Sequence, residues 1–454
     1  MTALVVHPAE RPLVGSIPVP SDAGIGHRAL LFAAVAQGKS RLVSFSAVDG
    51  TLTTAACLRA LGASIDSVGH DVIISGAGLG GLRAPERGVY CGASSTTMHL
   101  LCGLLATMPF RATLAGDGAL SREAMTPLVT PLRRRGALVE GTGRDGEVTA
   151  PLAIEPLPDR RLLSRIEYES PAASADVKAA VLISGLRAEG ATLFKEPTVS
   201  RDHTERLLDA LGAPIRTFGT VVQLDPTAWD GHIAGFEFAI PGDLSAAAFL
   251  ILAANLVPGS RVTARAVSVN PTRSGLLEIA RDMGAGLTIE PQGERQGEPV
   301  AALHAWRAGL RAATIGGETV ARANDDIPVA CALAARAAGT SRVTFGDGEL
   351  GAEAVRRRVA PLLGALRSFG VQCDERPGGV EIEGREGPLR AARIESGGDP
   401  SLAMTTAILA LAADGPTRIE DAACIGSRYP KFVATLRALG ARVDVESESE
   451  SESG

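Results

Sequence analysis

The chain has 454 residues, 45% of them hydrophobic, which is too long for one ordinary core and normal in composition for a folded protein. Its net charge is −6, and four of those negatives (Glu446, Glu448, Glu450 and Glu452) sit in a terminal Ser-Glu run, so no basic stripe for nucleic acid is expected. No apolar run reaches membrane-spanning length and the first residues do not read as a signal peptide, so a cytoplasmic protein is expected.

In chain order, six helices are predicted to end alike. The copies are Leu58-Arg-Ala-Leu-Gly-Ala63, Leu132-Arg-Arg-Arg-Gly-Ala137, Leu208-Asp-Ala-Leu-Gly-Ala213, Ile279-Ala-Arg-Asp-Met-Gly-Ala285, Leu366-Arg-Ser-Phe-Gly-Val371 and Leu436-Arg-Ala-Leu-Gly-Ala441. Their glycines stand at 62, 136, 212, 284, 370 and 440, a spacing of roughly 70 to 86 residues that marks one repeated supersecondary unit. Each Gly is expected just past a helix end, in the left-handed conformation that a Cβ resists.

A second helix recurs once per period. The stretches 27–36, 96–108, 175–186, 245–256, 328–338 and 402–413 are rich in Ala and Leu and nearly uncharged at their centres. A helix apolar on most faces is a buried helix. Short β-type runs such as Leu42-Val-Ser-Phe45, Val72-Ile-Ile74 and Val221-Val-Gln-Leu224 flank these helices. The expectation is an α/β protein of six βαβ-type units, three per domain. The six cysteines and seven histidines are dispersed, with neither C-x-x-C nor H-x-x-x-H spacing, so buried thiols and no metal are expected. Residues 446–454 are low-complexity and are expected to be a disordered acidic tail.

Eight loops between these elements can be compared with known signatures. Ile17-Pro-Val-Pro-Ser-Asp-Ala-Gly-Ile-Gly-His-Arg-Ala-Leu30 resembles the first signature of the EPSP synthase (3-phosphoshikimate 1-carboxyvinyltransferase) family. Cys91-Gly-Ala-Ser-Ser-Thr-Thr-Met98, Gly116-Asp-Gly-Ala-Leu-Ser-Arg122 and Ser174-Ala-Asp-Val-Lys178 resemble its later loops in order. So do Ser200-Arg-Asp-His-Thr-Glu-Arg206, Pro241-Gly-Asp-Leu-Ser245, Asn270-Pro-Thr-Arg273 and Asp325-Asp-Ile-Pro328, and the resemblance runs from about residue 5 to 443. It implies a two-domain inverse α/β barrel. One domain would combine 1–18 with 244–445 and the other would span 19–243.

The resemblance also implies a reaction and a site. The family joins phosphoenolpyruvate to the 5-hydroxyl of shikimate 3-phosphate through a tetrahedral intermediate and releases phosphate, with no cofactor. Both ligands are polyanions, so Lys and Arg must converge on them beside an acid and a base. Arg28, Thr96, Ser174, Ser200 and Arg201 match positions that hold the shikimate phosphate and ring, and Arg357 matches a phosphoenolpyruvate-binding arginine. Asp325 or Asp326 matches the acidic base, the register between them being open. Read without the resemblance, Ser174 and Ser200 are N-caps, Arg28 pairs with a carboxylate, and Asp325 starts the helix at Pro328.

Several site positions depart from the family. Its Asp-Lys-Ser-Ile-Ser-His-Arg is Asp22-Ala23-Gly24-Ile25-Gly26-His27-Arg28 here, so Ala23 and Gly24 replace Lys and Ser. Its Asn-x-Gly-Thr is Ala93-Ser94-Ser95-Thr96, and the Arg after Met is His99. Glu123 stands where an Arg clamps phosphoenolpyruvate, and Asp176 where a Gln packs on the shikimate ring. Its Arg-Val-Lys-Glu-Ser-Asp-Arg is Gly351-Ala352-Glu353-Ala354-Val355-Arg356-Arg357, and its Asp-His-Arg is Asp399-Pro400-Ser401. A cation 4 Å from an anion is worth roughly 4 kcal/mol at an effective dielectric of 20. With cations missing at Ala23, Glu123, Glu353 and Ser401, full family activity is expected to fail. The alternatives are a non-catalytic binding or regulatory homologue, or an enolpyruvyl-transferase relative with a less anionic substrate. A monomer with small-molecule ligands is expected.

Overall fold

The computed structural model of the chain describes residues 2–143, 146–345 and 350–447, and the side chains of 160, 350–354 and 447 lie outside that description. Among the described residues the strands form six four-stranded sheets. The chain divides into two compact units, the first made of Met1–Pro20, Gly242–Gly293 and Pro299–Gly454, the second of Ser21–Pro241 and Glu294–Glu298. Three sheets fall in each.

One module shows the pattern. Strand Ile166–Glu169 leads into the helix Ala175–Gly185, and strand Thr192–Lys195 returns parallel to the first. The helix His203–Ala210 follows, and the hairpin Ile215–Phe218 and Val221–Leu224 closes the sheet antiparallel. The first helix is mostly apolar beyond its first turn, Lys178 and Ser184 apart, and every residue from Val177 to Gly185 is buried. The second has one apolar face only, with Leu207 and Leu208 buried and Asp209 and Ala210 exposed. The other five apolar helices, Ala23–Val35, Ser95–Leu105, Leu244–Leu256, Ile327–Ala334 and Pro400–Ala410, form the centres of their units in the same way. Burying one Leu or Ile contributes about 1.5–3 kcal/mol, so a helix buried on all sides binds its neighbours far more firmly than its own propensity does.

The repeated glycines do what the spacing predicts. All six have positive φ, between 73° at Gly284 and 109° at Gly440. In each copy the Gly N–H and the next N–H bond back to helix carbonyls, as in Gly62 N to Arg59 O and Ala63 N to Leu58 O. The arginines in these motifs also have a structural task. Arg59, Arg133, Arg367 and Arg437 reach over the turn to the carbonyls of Ile65, Val139, Cys373 and Val443, tying the helix end to the following strand.

Three sheets take a strand from far away in sequence. Thr2–Val6 lies between Thr417–Glu420 and Val443–Ser447, Val14–Pro18 runs parallel to Arg261–Ser268, and Glu237–Ala239 runs parallel to Gln37–Val43. The first of these overturns the expectation of disorder from Glu446 onward. Glu446 pairs in register with Ala3, and its carboxylate meets Arg418, because the N-terminal strand offers it a ladder of backbone partners. Residues 448–454, the rest of that expected tail, lie outside the described residues.

Candidate active site

In the second unit the polar centre is built from the first turns of three apolar helices. Asp22 caps Ala23–Val35 by accepting from Ile25 N, Ser94 caps Ser95–Leu105 by accepting from Thr97 N, and Ser174 caps Ala175–Gly185 by accepting from Val177 N. Ser174 is therefore an N-cap in this structure, its Oγ accepting from the Val177 amide and its O–H left as a donor. These caps place Arg28, Thr96 and Asp176 together. Arg28 Nη2 is 3.1 Å from Asp176 Oδ1, and Thr96 Oγ1 donates to Asp176 Oδ2 at 2.8 Å. Arg28 also donates from Nη1 to the Gly24 carbonyl (3.0 Å) and from Nε to Thr204 Oγ1 (2.6 Å). Burial by itself would raise the Asp176 carboxyl. Arg28, His99 and the Thr96 hydroxyl outweigh it, so the group is held below the ordinary carboxylate range and is charged.

Around this pair lie further arranged groups. Buried His27 stands with Nδ1 2.6 Å from Thr54 Oγ1, and hydroxyl contacts of 2.7 Å continue to Thr97 and on to Ser94. Desolvation, helped by Arg28 and opposed by Asp176 and Asp22, lowers His27 to about 4, so its ring is neutral at pH 7. His99 Nδ1 is 2.9 Å from the Ser95 carbonyl, and Ser95 Oγ donates to exposed Glu123 at 2.7 Å. Ala23 and Gly24 open the first helix, and Ala93 is exposed in the loop before the second. Ser200 donates to Glu196 Oε2 at 2.6 Å, and half-buried Arg201 follows it in the same loop. Behind Ser200, Lys178 lies 2.7 Å from both Glu196 and Glu205, all three buried.

The first unit has a different kind of centre. A cavity of about 210 Å³ is lined by Asp325, Arg358, Asp399, Ser401 and Arg428, with Pro328, Leu362, Pro400 and Leu402. Asp399 caps the helix Pro400–Ala410 by accepting from Ser401 N and Leu402 N, which holds its carboxylate at the cavity rim. Arg358 Nη2 is 3.1 Å from Asp325 Oδ1 and also meets Asn324. Asp326, one residue on, points elsewhere. It is 2% exposed and accepts from Ser245 Oγ at 2.5 Å. Arg273 holds that hydroxyl at 2.9 Å and Asp243 at 2.8 Å. Burial, opposed by Arg273 and Ser245, pushes Asp326 up to about 6.

The structure thus separates two residues that the sequence left in one register. Asp325 faces the cavity and Asp326 is part of a buried cluster beside the start of Leu244–Leu256. Arg358 lines the cavity, while Arg357, the arginine that the resemblance matches, is exposed and does not line it. Glu353 and Ala354 have side chains outside the described residues. Arg428, Thr204 and the Lys178 cluster were missed altogether. Thr204 and Lys178 belong to quoted motifs, but only tertiary contact gives them partners. Among the described residues no group of three or more His, Cys, Asp and Glu could hold a metal ion, and no helix is long and apolar enough to cross a membrane.

Two units of three α/β modules each, with paired charges at the N-termini of their buried helices, define a two-domain inverse α/β fold. Residues 8–436 match the family model for EPSP synthase (3-phosphoshikimate 1-carboxyvinyltransferase). A 3-phosphoshikimate 1-carboxyvinyltransferase of Geobacter sulfurreducens is 40% identical over 443 residues, covering 97% of this chain and 100% of the relative. One from Syntrophomonas wolfei is 37% identical, covering 96% of this chain and 99% of the relative. The solved EPSP synthase of Acinetobacter baumannii superposes with a TM-score of 0.89 at 32% identity over 98% of this chain and 100% of that one. The enolpyruvyl transferase NikO of Streptomyces tendae, at 16% identity and a TM-score of 0.75 over 98% of this chain and 99% of that one, shares the fold. The chain belongs to the EPSP synthase family.

Proposed function

We propose that the chain's reaction class is enolpyruvyl transfer, and that it runs the family reaction far more slowly than relatives with the full charge set. That reaction moves the enolpyruvyl group of phosphoenolpyruvate to the 5-hydroxyl of shikimate 3-phosphate. In the first unit, Asp325 is the base, and Arg358 and Arg428 take a small anionic enol in the cavity. In the second unit, Arg28, Thr96, Ser174, Asp176, Ser200 and Arg201 form the acceptor side. The single observation that carries the reading of slow turnover is the Arg28–Asp176 pair. The best-matched phosphate contact is already neutralised from within. Removing one preorganised donor from an active site costs about 10²–10³ in rate, so the expected deficit is at least that large.

The test is phosphate release with both family substrates, run beside the Geobacter sulfurreducens relative. Release about 10³-fold slower supports the reading, and equal rates sink it. A second reading, a non-catalytic binding or regulatory homologue, is favoured by Glu123, which turns its carboxylate to Ser95 where the family has a cationic clamp. Phosphoenolpyruvate bound at the cavity with no detectable release would favour that second reading. We place the protein in the cytoplasm as a monomer with small-molecule ligands and no nucleic acid.

A further inference from the structure

We propose that Arg307, Arg336 and Arg385 form a second anion site in the first unit, one that takes a small multivalent oxyanion of the phosphate class. It lies past the end of the helix Ile327–Ala334 whose first turn, at Pro328, lines the cavity. Eight residues at 1.5 Å each put about 12 Å of helix between the two places. Backbone bonds bring the three arginine segments together. Ala338 N donates to Leu310 O, and Arg385 N donates to Ala335 O, both at 2.9 Å. Residues 307–312, 335–339 and 384–390 carry five arginines, Arg307, Arg311, Arg336, Arg385 and Arg390, against one acid, Glu386. Among the described residues no carboxylate forms an ion pair with Arg307, Arg336 or Arg385, and all three are half-buried. Burial holds the Arg336 guanidinium below its ordinary range, and repulsion from Arg307 and Arg385 lowers it further.

The protein uses only part of each guanidinium. Arg307 Nη1 donates to the carbonyls of Asn255 (3.0 Å) and Leu256 (2.6 Å), at the end of the helix Leu244–Leu256. Arg336 Nη1 donates to the carbonyls of Arg385 and Gly387. Arg385 donates from Nε to Pro388 O (2.9 Å) and from Nη1 to Gly370 O (3.4 Å). Nη2 of all three makes no bond among the described residues, and Nε of Arg336 is buried without a partner. A guanidinium carries five donors in a planar fork, and the unused ones suit a phosphate-type oxyanion. Closing a helix end does not call for this much charge. In the second unit Arg187 stands two residues past Ala175–Gly185, as Arg336 stands two past Ile327–Ala334. It donates to the carbonyls of Leu79 and Thr107, and burial lowers it with no second cation acting. The first unit gathers three cations for the same structural task. They repel one another until an anion sits among them.

Calorimetric titration of the full chain with inorganic pyrophosphate tests this, independently of the transferase reading. The cavity offers Arg358 and Arg428 to the same anion, so the titration is made in an Arg358→Ala, Arg428→Ala double variant as well as in the wild type. One saturable pyrophosphate per chain is expected to remain in the double variant. Adding Arg385→Gln is expected to weaken it by about tenfold or more, and adding Arg307→Gln instead to do the same. No saturable binding in the double variant, or weak binding of many anions as to any cationic surface, overturns the proposal. So does a loss of less than tenfold in either added variant. If only one added variant folds, that one decides. If the double variant does not fold, the same additions in the wild type decide: loss of one saturable site is expected, and an unchanged titration overturns the proposal.

Discussion

Arg28 in one unit and Arg358 in the other each stand 3.1 Å from a carboxylate, but Arg28 is 3% exposed and Arg358 is 41% exposed. At Arg358 water screens the pair, and holding it together is worth at most about 1 kcal/mol, so a ligand anion can displace Asp325 cheaply. At Arg28 the guanidinium is out of water, and its carboxylate is its compensation. Separating such a pair leaves a buried charge alone, which costs several kcal/mol. The same distance therefore marks an available binding group in the first unit and a structural lock in the second. The contrast extends outward. The second unit also buries Lys178 between two glutamates, whereas the first leaves Arg428 exposed at its cavity.

The largest expected effect tests the lock. Lys178→Met leaves Glu196 and Glu205 facing each other without a cation and should destabilise by about 3–5 kcal/mol in urea denaturation. A loss below 1 kcal/mol would show that these carboxylates are relieved by water or protons, and the contrast between units would weaken.

The two units should also respond oppositely to acid. His27, neutral in the fold with its value lowered from 6.5 to about 4, takes up protons more readily when unfolded. Its contribution is present above 6.5 and is lost as pH falls toward 4. Asp326, raised from 3.8 to about 6, holds its proton more tightly when folded. Its contribution is present below 3.8 and is lost as pH rises to 6. Each amounts to about 3 kcal/mol. Urea midpoints between pH 4 and 7 should rise more steeply with pH in Asp326→Asn than in the wild type, and less steeply in His27→Asn. Parallel slopes in the two variants would remove this distinction.

The arginines themselves give a smaller and more direct test. Arg28→Ala should cost about 2–3 kcal/mol of stability, reduced from the fully buried case because Asp176 is partly exposed, while Arg358→Ala should cost less than about 1 kcal/mol. Phosphoenolpyruvate affinity should behave the other way, falling about tenfold in Arg358→Ala. Equal stability losses would break the comparison. At the small end, Gly212→Ala and Gly440→Ala should each cost about 1–2 kcal/mol by thermal unfolding, because both occupy the same positive-φ turn in different units. Unequal costs would mean that local packing, such as the Arg11 contact at Gly440, outweighs the shared turn.

The regular spacing of 62, 136, 212, 284, 370 and 440 was enough to read six modules, because a left-handed helix end is a local backbone requirement that only Gly meets cheaply. The six apolar helices were equally legible, since burial on all faces demands an uncharged sequence. The residues Ala23, Glu123, Asp176 and Ser401 could also be read directly against the signatures that the chain resembles. What those residues do could not. Whether Asp176 repels a ligand or occupies Arg28 depends on a contact across 148 positions of sequence. Which of Asp325 and Asp326 faces the cavity depends on where Ser245 and Arg273 sit. The placement of Thr2–Val6 beside Val443–Ser447 depends on a sheet edge from the far end of the chain. Local conformation is encoded within a few residues and so the sequence alone determined the modules. A side chain's partner, and hence whether a charge is free to bind or already spent, is set by burial and long-range contact, which only the tertiary structure decides.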